Sequence, residues 1–231
     1  MRNPIHYFLH AFLDLFFPKL CMACSRHLSE NEEMICLHCE FHLPQTHYLN
    51  FGENPIEKLF WGRVQLKAAG SLYHYEKGQV VQKLMQHLKY KGKKEVGRWM
   101  GEQLGKALID NQRFKHVELV LAIPLHPKKE FKRGFNQSDL IVKGILNHVS
   151  WKEEKVIHRK INTATQTKKS KFERWQNVSS SFNIKEAKKI QNKHILLVDD
   201  VLTTGATLEA AALLLLQHGA KSISVVTVAA A

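Results

Sequence analysis

The sequence lacks an uninterrupted apolar run long enough to cross a membrane. Its longest apolar stretch, Ile5 to Leu20, is broken by His6, His10, Asp14 and Pro18, whereas a spanning helix needs about 20 mostly apolar residues. The stretch also has no small-residue cleavage site of the kind that ends a secretory signal. We therefore expect an amphipathic helix that packs on the rest of the protein, with peripheral membrane contact as the alternative. The expected location is cytoplasmic.

Internal repeats and low-complexity segments are also missing, and 44% of the 231 residues are hydrophobic. This length and composition fit one sizeable core with a small additional module. Acidic residues are scarce, since 21 Asp and Glu stand against 34 Lys and Arg, for a formal net charge of +13. The excess favours polyanionic partners, but charge alone does not distinguish nucleic acid from a phosphorylated metabolite.

A P-loop is absent as well. The nearest segment, Gly101 to Ala107, is shorter than the G-x-x-x-x-G-K-[ST] motif and lacks its hydroxyl, which disfavours a P-loop nucleotidase.

Cysteine is confined to two C-x-x-C motifs near the N-terminus, Cys21 with Cys24 and Cys36 with Cys39. Two disulfides or a thioredoxin-type pair are the alternatives, but neither a secretory signal nor a βαβ setting accompanies the motifs. Two such turns can bring four thiolates around one tetrahedral zinc ion. We predict a structural Zn²⁺ site on these four cysteines within an N-terminal module over residues 1–45. Three histidines could compete as ligands: His27, His38 and His42.

The strongest functional pattern in the chain runs from Ile195 to Leu208. Its first four residues predict a buried parallel strand, and Ala206–Gln217 predicts a helix that stops at His218-Gly219. Asp199 and Asp200 follow the strand, where an acid pair can bind ribose hydroxyls or a metal, or simply cap the helix. The turn that follows offers hydroxyls and free N–H groups at a helix N-terminus, which suits a phosphate. Strand, acids, turn and helix together predict a sugar-phosphate site. The residues predicted to hold the phosphate are Thr203, Thr204, Gly205 and Thr207.

A second anion site is predicted after the next apolar run, Val117 to Ile123. Two prolines, Pro124 and Pro127, should end this strand. A cationic loop with a glycine follows, and Asn136 or Ser138 can cap a helix that runs to about His148. Such an arrangement suits pyrophosphate. The predicted anion-binding residues are Lys128, Lys129, Lys132, Arg133, Gly134 and Asn136.

The remaining predictions concern the middle of the chain. Apolar spacing indicates helices over Gly78–Tyr90 and Val96–Ile109, joined by a basic turn. Residues 46–75 are expected to form strands or a flap that complete a hood over the site. Residues 158–182, with Arg159, Gln166 and Arg174, are either a lid that closes over substrate or a disordered basic connector.

The segment from Asp199 resembles the phosphoribosyl-pyrophosphate (PRPP) loop of type I phosphoribosyltransferases, where two acids precede a Thr-Thr-Gly-x-Thr phosphate loop. The resemblance implies that Asp199 and Asp200 hold the ribose hydroxyls. It implies that the 5′-phosphate is held by Thr203, Thr204, Gly205, Ala206 and Thr207. It further implies that Mg²⁺ is carried mainly by the diphosphate and the ribose.

Nearly the whole chain resembles the ComF family of competence proteins. The segments that carry the likeness are Pro124–Pro127, Arg133–Ser138, the set Arg159, Gln166, Arg174, Asn177 and Phe182, the acid-threonine loop, and the preceding cysteines. Lys128 and Lys129 depart from the family, which often has arginine there, so bidentate phosphate contact is not expected at these positions.

The family resemblance implies an α/β fold, with a type I phosphoribosyltransferase-like, mostly parallel twisted sheet and flanking helices over residues 46–231, plus the small Cys₄ zinc module. It implies a ribose 5-phosphate ligand and a role in the uptake or handling of single-stranded DNA during natural transformation, beside a ComF-type helicase. The alternative is an active PRPP-dependent phosphoribosyltransferase acting on a nitrogenous base. No catalytic residue is assigned.

Overall fold

The structure is a computed structural model that describes residues 18–159 and 182–231. The predicted N-terminal helix lies almost wholly outside the described residues, as do Gln166 and Arg174. The described helices are α1 (Leu37–Phe41), α2 (Pro55–Phe60), α3 (Val80–Tyr90), α4 (Lys94–Leu108), α5 (Pro127–Arg133), α6 (Gln137–Ile145) and α7 (Ala206–Gln217), with a 3₁₀ turn at Ala187–Ile190. The described strands are β1 (Ala68–His74), β2 (Leu119–Ala122), β3 (Lys152–Glu153), β4 (Ile157–Arg159), β5 (Phe182–Ile184), β6 (His194–Leu202) and β7 (Ser222–Ala230).

The main sheet is parallel throughout, in the order β1-β7-β6-β2-β3. A parallel sheet is buried on both faces, which explains why β6 begins with a continuous apolar run. Leu196 and Val198 of β6 join the core that contains residues of α3, α4 and α6, whereas Ile195 and Leu197 join the core that contains residues of α2 and α7. The predicted mostly parallel sheet with helices on both faces is thus confirmed.

The four-cysteine module shares the first of these cores. Cys21, Cys36 and Cys39 are buried in the same cluster as Tyr73 of β1 and Met85 of α3. The module is therefore packed onto one face of the sheet.

Residues 46–75 form α2 and β1. Asn54 caps α2 by accepting hydrogen bonds from the N–H groups of Ile56 and Glu57, and Pro55 suits the first helical position because no N–H is needed there. β1 pairs with β7 as an edge strand of the main sheet. The segment expected to form strands or a flap thus supplies one helix and an edge strand.

A close crossing of α4 and α6 fixes that side of the sheet. A Cβ at Gly101 would lie 2.0 Å from the carbonyl oxygen of Ile141, and a Cβ at Gly144 would lie 2.1 Å from that of Arg98. Only glycine allows the two backbones to approach this closely. Gly101, the first residue of the segment compared above with a P-loop, therefore serves helix packing.

None of the helices in the described ranges has the length and apolar character that a membrane span requires.

Candidate functional site

The acid pair lies at the point in β6 where the pairing with β2 ends. β2 pairs with β6 only as far as Ala122 opposite Val198, and the N–H of Ile123 still donates to the Val198 carbonyl at 2.9 Å. Pro124 has no N–H to continue the ladder. On the other side, β6 continues along β7 to Leu202. Asp199 and Asp200 therefore stand inside a longer strand than predicted, but directly after its last pairing with β2.

The carboxyl group of Asp199 accepts two hydrogen bonds and has a raised pKa. Its Oδ1 accepts a hydrogen bond from the Ser138 hydroxyl at 3.0 Å and another from the backbone N–H of Asp200 at 2.8 Å. Burial and the neighbouring charge of Asp200 raise the pKa of Asp199 to about 7, against its ordinary 3.8. The hydrogen bonds and the charge of Lys89 act in the opposite direction. Asp199 can therefore exchange a proton near neutral pH.

Asp200 is paired with a lysine that no sequence pattern had indicated. Lys89, in the last turn of α3, places its Nζ 2.8 Å from Oδ2 of Asp200. The other oxygen of Asp200 accepts from the N–H of Val201 at 2.6 Å. The pair is partly buried, which strengthens the attraction between its charges. The positive charge of Lys89 offsets the negative charge of Asp200 beside Asp199.

The turn after β6 is shaped by Gly205. This residue has a φ of +73°, and a Cβ on it would lie 3.0 Å from the ring of Phe60 in α2. Both the left-handed backbone and the close approach therefore favour glycine. α7 begins at Ala206 with no side-chain cap, and Thr203 and Thr204 are exposed. The predicted phosphate turn thus presents hydroxyls and helix N–H groups at the surface.

Arg63 supports this turn from behind. Its Nη1 donates to the carbonyl oxygens of Leu59 at 3.0 Å and Thr204 at 3.2 Å, and its Nη2 pairs with the Glu209 carboxylate in the first turn of α7. The segment between α2 and β1 is therefore bonded to the predicted phosphate turn, and it also lines a surface groove of about 490 Å³ that includes Trp61. Arg63 could not be selected from the sequence, because nothing local distinguishes it from other surface arginines.

The predicted cationic loop is a short helix, α5. It ends at Gly134, whose φ is +76°, and its three lysines, Lys128, Lys129 and Lys132, are all exposed. Arg133 donates to Oε1 of Gln137 at 2.5 Å, and its guanidinium lies 5.8 Å from the centre of the Tyr90 ring. These cations follow the carboxyl end of β2 in the chain, and their binding of an anion stays a prediction.

The side chain of Asn136 forms hydrogen bonds that join the end of β2 to the start of α6. Its Oδ1 accepts from the N–H of Ser138 and so caps α6, while its Nδ2 donates to the Ile123 carbonyl at 3.0 Å and to Asp139 at 3.1 Å. It thereby fixes the end of β2 to the start of α6 and places Ser138 beside Asp199. The predicted cap is present, although α6 ends at Ile145 and not at His148.

Arg159 is the described part of the predicted lid set. It ends β4 and pairs with Phe182, the first residue of β5, so an antiparallel ladder joins the described residues on either side of 160–181. Burial lowers the pKa of Arg159, and the charge of Asp199 acts to raise it. The guanidinium thus belongs to the electrostatic surroundings of the acid pair, while it packs 5.3 Å from the Phe182 ring centre.

The four cysteine sulfurs converge. All lie within 4.8 Å of one another, and the sulfurs of Cys24 and Cys36 are 3.7 Å apart. Tetrahedral ligands at a zinc–sulfur distance of about 2.3 Å would be separated by about 3.8 Å, so the donor set fits a metal such as zinc. Burial opposes ionisation of Cys21, but N–H donors from Cys24, Cys36 and Ala23 outweigh it and lower the pKa of this thiol to about 6. A thiolate is the form that binds a metal.

Comparisons with known proteins agree with this architecture. The sequence matches the phosphoribosyl transferase domain family over residues 155–231. It is 29% identical over 212 residues to the DNA utilization protein YhgH of Escherichia coli (strain K12), covering 89% of this chain and 88% of that one. It is 26% identical over 211 residues to Competence protein F of Haemophilus influenzae, covering 89% and 88%. It is 27% identical over 211 residues to Competence protein ComFC of Bacillus subtilis, covering 89% and 82%.

The parallel sheet and the domain match define a phosphoribosyltransferase-like α/β protein. With the four-cysteine module in front, and with relatives named for competence matching nearly nine-tenths of its length, the chain is similar to ComF-type proteins.

Proposed function

We propose that the turn between β6 and α7 binds the ribose 5-phosphate part of PRPP or of a nucleotide. The observation that carries this proposal is the placement of two partly buried carboxylates on the strand that leads, through exposed threonines, into an uncapped helix N-terminus. The phosphate would lie on the hydroxyls and N–H groups of Thr203–Thr207, and the ribose hydroxyls would donate to Asp199 and Asp200. Mg²⁺ would accompany the diphosphate of PRPP. In this proposal the cations of α5 attract the diphosphate.

The chain's own residues prepare this site. Ser138 fixes the orientation of Asp199, Lys89 fixes Asp200, and Arg63 holds the Thr204 carbonyl, so the site is ordered before a ligand arrives. The proposed zinc ion on the four cysteines is structural, because a closed set of four thiolates leaves no position for a substrate.

The biological role we propose is the handling of single-stranded DNA in the cytoplasm during natural transformation, beside a ComF-type helicase. The names of the relatives, DNA utilization protein and Competence protein, support this role, and the net charge of +13 is suited to a polyanion. Transformation frequency of a deletion strain, with and without the restored gene, tests the role in a transformable host.

The ligand proposal is tested by calorimetric titration of PRPP with Mg²⁺ into the wild type and into Asp199→Asn/Asp200→Asn. Removing charged hydrogen-bond acceptors costs about 1.5–3 kcal/mol each, so we expect affinity to fall at least tenfold. Asp110→Asn, at an exposed position after α4, is the matched control. Equal affinity of the double variant and the wild type would overturn the proposal.

A second candidate function is catalytic phosphoribosyl transfer to a nitrogenous base. It is favoured by Asp199, whose pKa is raised by burial to about 7, because such a carboxyl group can accept a proton at neutral pH. Release of pyrophosphate from PRPP in the presence of purine or pyrimidine bases measures this activity. Loss of the release in Asp199→Asn would support the candidate, and no release by the wild type with any base would exclude it for those acceptors.

A further inference from the structure

A basic surface with an exposed aromatic ring lies beside the acid pair. It consists of the turn between α3 and α4 together with the adjoining side of α5. Its members are Tyr90, Lys91, Lys93, Lys129, Lys132 and Arg133; we refer to them as the basic aromatic surface. Lys89, which binds Asp200, directly precedes Tyr90, so the surface borders the proposed ribose phosphate site.

Two contacts join the two halves of this surface. The guanidinium of Arg133 lies 5.8 Å from the centre of the Tyr90 ring, and Nζ of Lys94 lies 5.4 Å from the centre of the Phe135 ring. Both are within the range of cation–π attraction. The turn and the C-terminal end of α5 therefore adjoin each other.

Tyr90 is unusually placed for a tyrosine. It is 76% exposed, yet Arg133 lies against its ring. A ring that only filled the core would be covered by apolar neighbours, whereas most of this ring is accessible to a ligand. Such a ring is partly ordered before binding, which reduces the entropy cost of stacking.

The positive charges of the surface are available to a partner. Among the described residues, the Nζ atoms of Lys91, Lys129 and Lys132 form no ion pair, and Lys93 has only Glu95 at 3.9 Å. Exposed lysines without carboxylate partners, placed around a stacking ring, match the regular negative charge and flat bases of a polynucleotide.

We propose that the basic aromatic surface binds single-stranded DNA, with a base stacked on Tyr90 and backbone phosphates on the lysines around it. The inference rests on the proposed DNA-handling role and assigns that role to a surface. A duplex keeps its base faces stacked inside, so an exposed ring selects the single strand. A membrane fits less well, because α5 offers one exposed apolar ring, Phe131, and an interfacial helix needs a continuous apolar face.

Fluorescence anisotropy with a labelled oligothymidine tests the stacking contact. Removal of one base stack costs about 1–3 kcal/mol, so Tyr90→Ala should weaken binding about tenfold. Tyr90→Trp should restore it, because tryptophan supplies a larger π-face. Phe41→Ala, at another ring that is 86% exposed in the cysteine module, is the matched control. Circular dichroism melts of each variant verify that the exposed substitutions leave the fold intact.

A salt titration tests the binding of backbone phosphates. For single strands the slope of log K against log salt changes by about 0.7 for each phosphate that the protein no longer neutralises. Lys91→Gln/Lys93→Gln should therefore flatten the slope by about 1.4, whereas Lys106→Gln/Lys143→Gln, which removes two exposed lysines elsewhere, should leave it nearly unchanged. Tyr90→Ala should lower the affinity and keep the wild-type slope.

The outcomes separate this inference from the proposed function. If the wild type binds the oligonucleotide but Tyr90→Ala and Lys91→Gln/Lys93→Gln bind equally well, the surface is wrong and the DNA-handling role stands. If the wild type binds no oligonucleotide, both fail, while PRPP binding is still decided by the Asp199→Asn/Asp200→Asn titration. Tighter binding to duplex DNA, or to phosphatidylglycerol vesicles, than to oligothymidine would also overturn the proposal.

Discussion

The raised pKa of Asp199 makes the stability of the fold depend on pH. Burial and the charge of Asp200 raise its pKa to about 7, so the folded protein binds this proton more tightly than the unfolded chain does. The resulting stabilisation is complete below the ordinary pKa of 3.8 and is lost progressively as the pH rises toward 7. At about 1.4 kcal/mol per pH unit, ionising Asp199 in the folded state costs roughly 4 kcal/mol in all.

Asp199→Asn removes this cost and keeps the shape of the side chain. Its amide oxygen can still accept from Ser138 and from the Asp200 N–H. Relative to the wild type, the free energy of unfolding of the variant should rise by roughly 2.5 kcal/mol between pH 5 and pH 8, and level off above pH 8.

Urea unfolding at a series of pH values measures this difference. Asp110→Asn is the control, since it also removes one carboxylate but at an exposed position. The reasoning fails if the two variants show the same pH dependence, or if Asp199→Asn becomes less stable than the wild type as the pH rises.

Two further predictions concern the packing and the cysteines. Gly101→Ala should destabilise the fold by about 1–3 kcal/mol, because its Cβ would lie 2.0 Å from the Ile141 carbonyl oxygen. Gly52→Ala is the control, since the nearest atom to its Cβ would be Glu57 Oε2 at 3.7 Å. Equal melting temperatures of the two variants would refute this explanation. A strong chelator should release about one zinc ion per chain and lower the melting temperature, because the cysteines belong to the main core. Metal analysis that finds no zinc, together with a thiol titration that finds two disulfides, would contradict the predicted zinc site.

The bounds of several elements follow from local chemistry. α7 runs from Ala206 to Gln217, as predicted, because Gly205 and Gly219 supply left-handed positions at its two ends. The strand of Val117–Ile123 stops where proline removes the donor. β6 was predicted too short, since Val201 and Leu202 follow two acids and only pairing with β7 keeps them in the strand.

The contacts that could not be predicted from the sequence join residues far apart in the chain. Ser138 lies 61 residues before Asp199, and Arg63 lies 141 residues before Thr204. Lys89 belongs to a helix whose pattern indicates packing and gives no sign of a contact with Asp200. No local pattern predicts such contacts, because they depend on the order of the strands.

The sequence by itself determined the two C-x-x-C motifs, the acid pair, the glycine turn before α7 and the alternation of strands and helices, because each is specified by neighbouring residues. The tertiary structure decided which groups meet these motifs. The parallel sheet brings α3, α6 and the segment after α2 to the end of β6, and thereby gives Asp200 its lysine, Asp199 its serine and its raised pKa, and Thr204 its arginine. It also joins two basic segments around Tyr90, a surface that has no counterpart in any one stretch of the sequence.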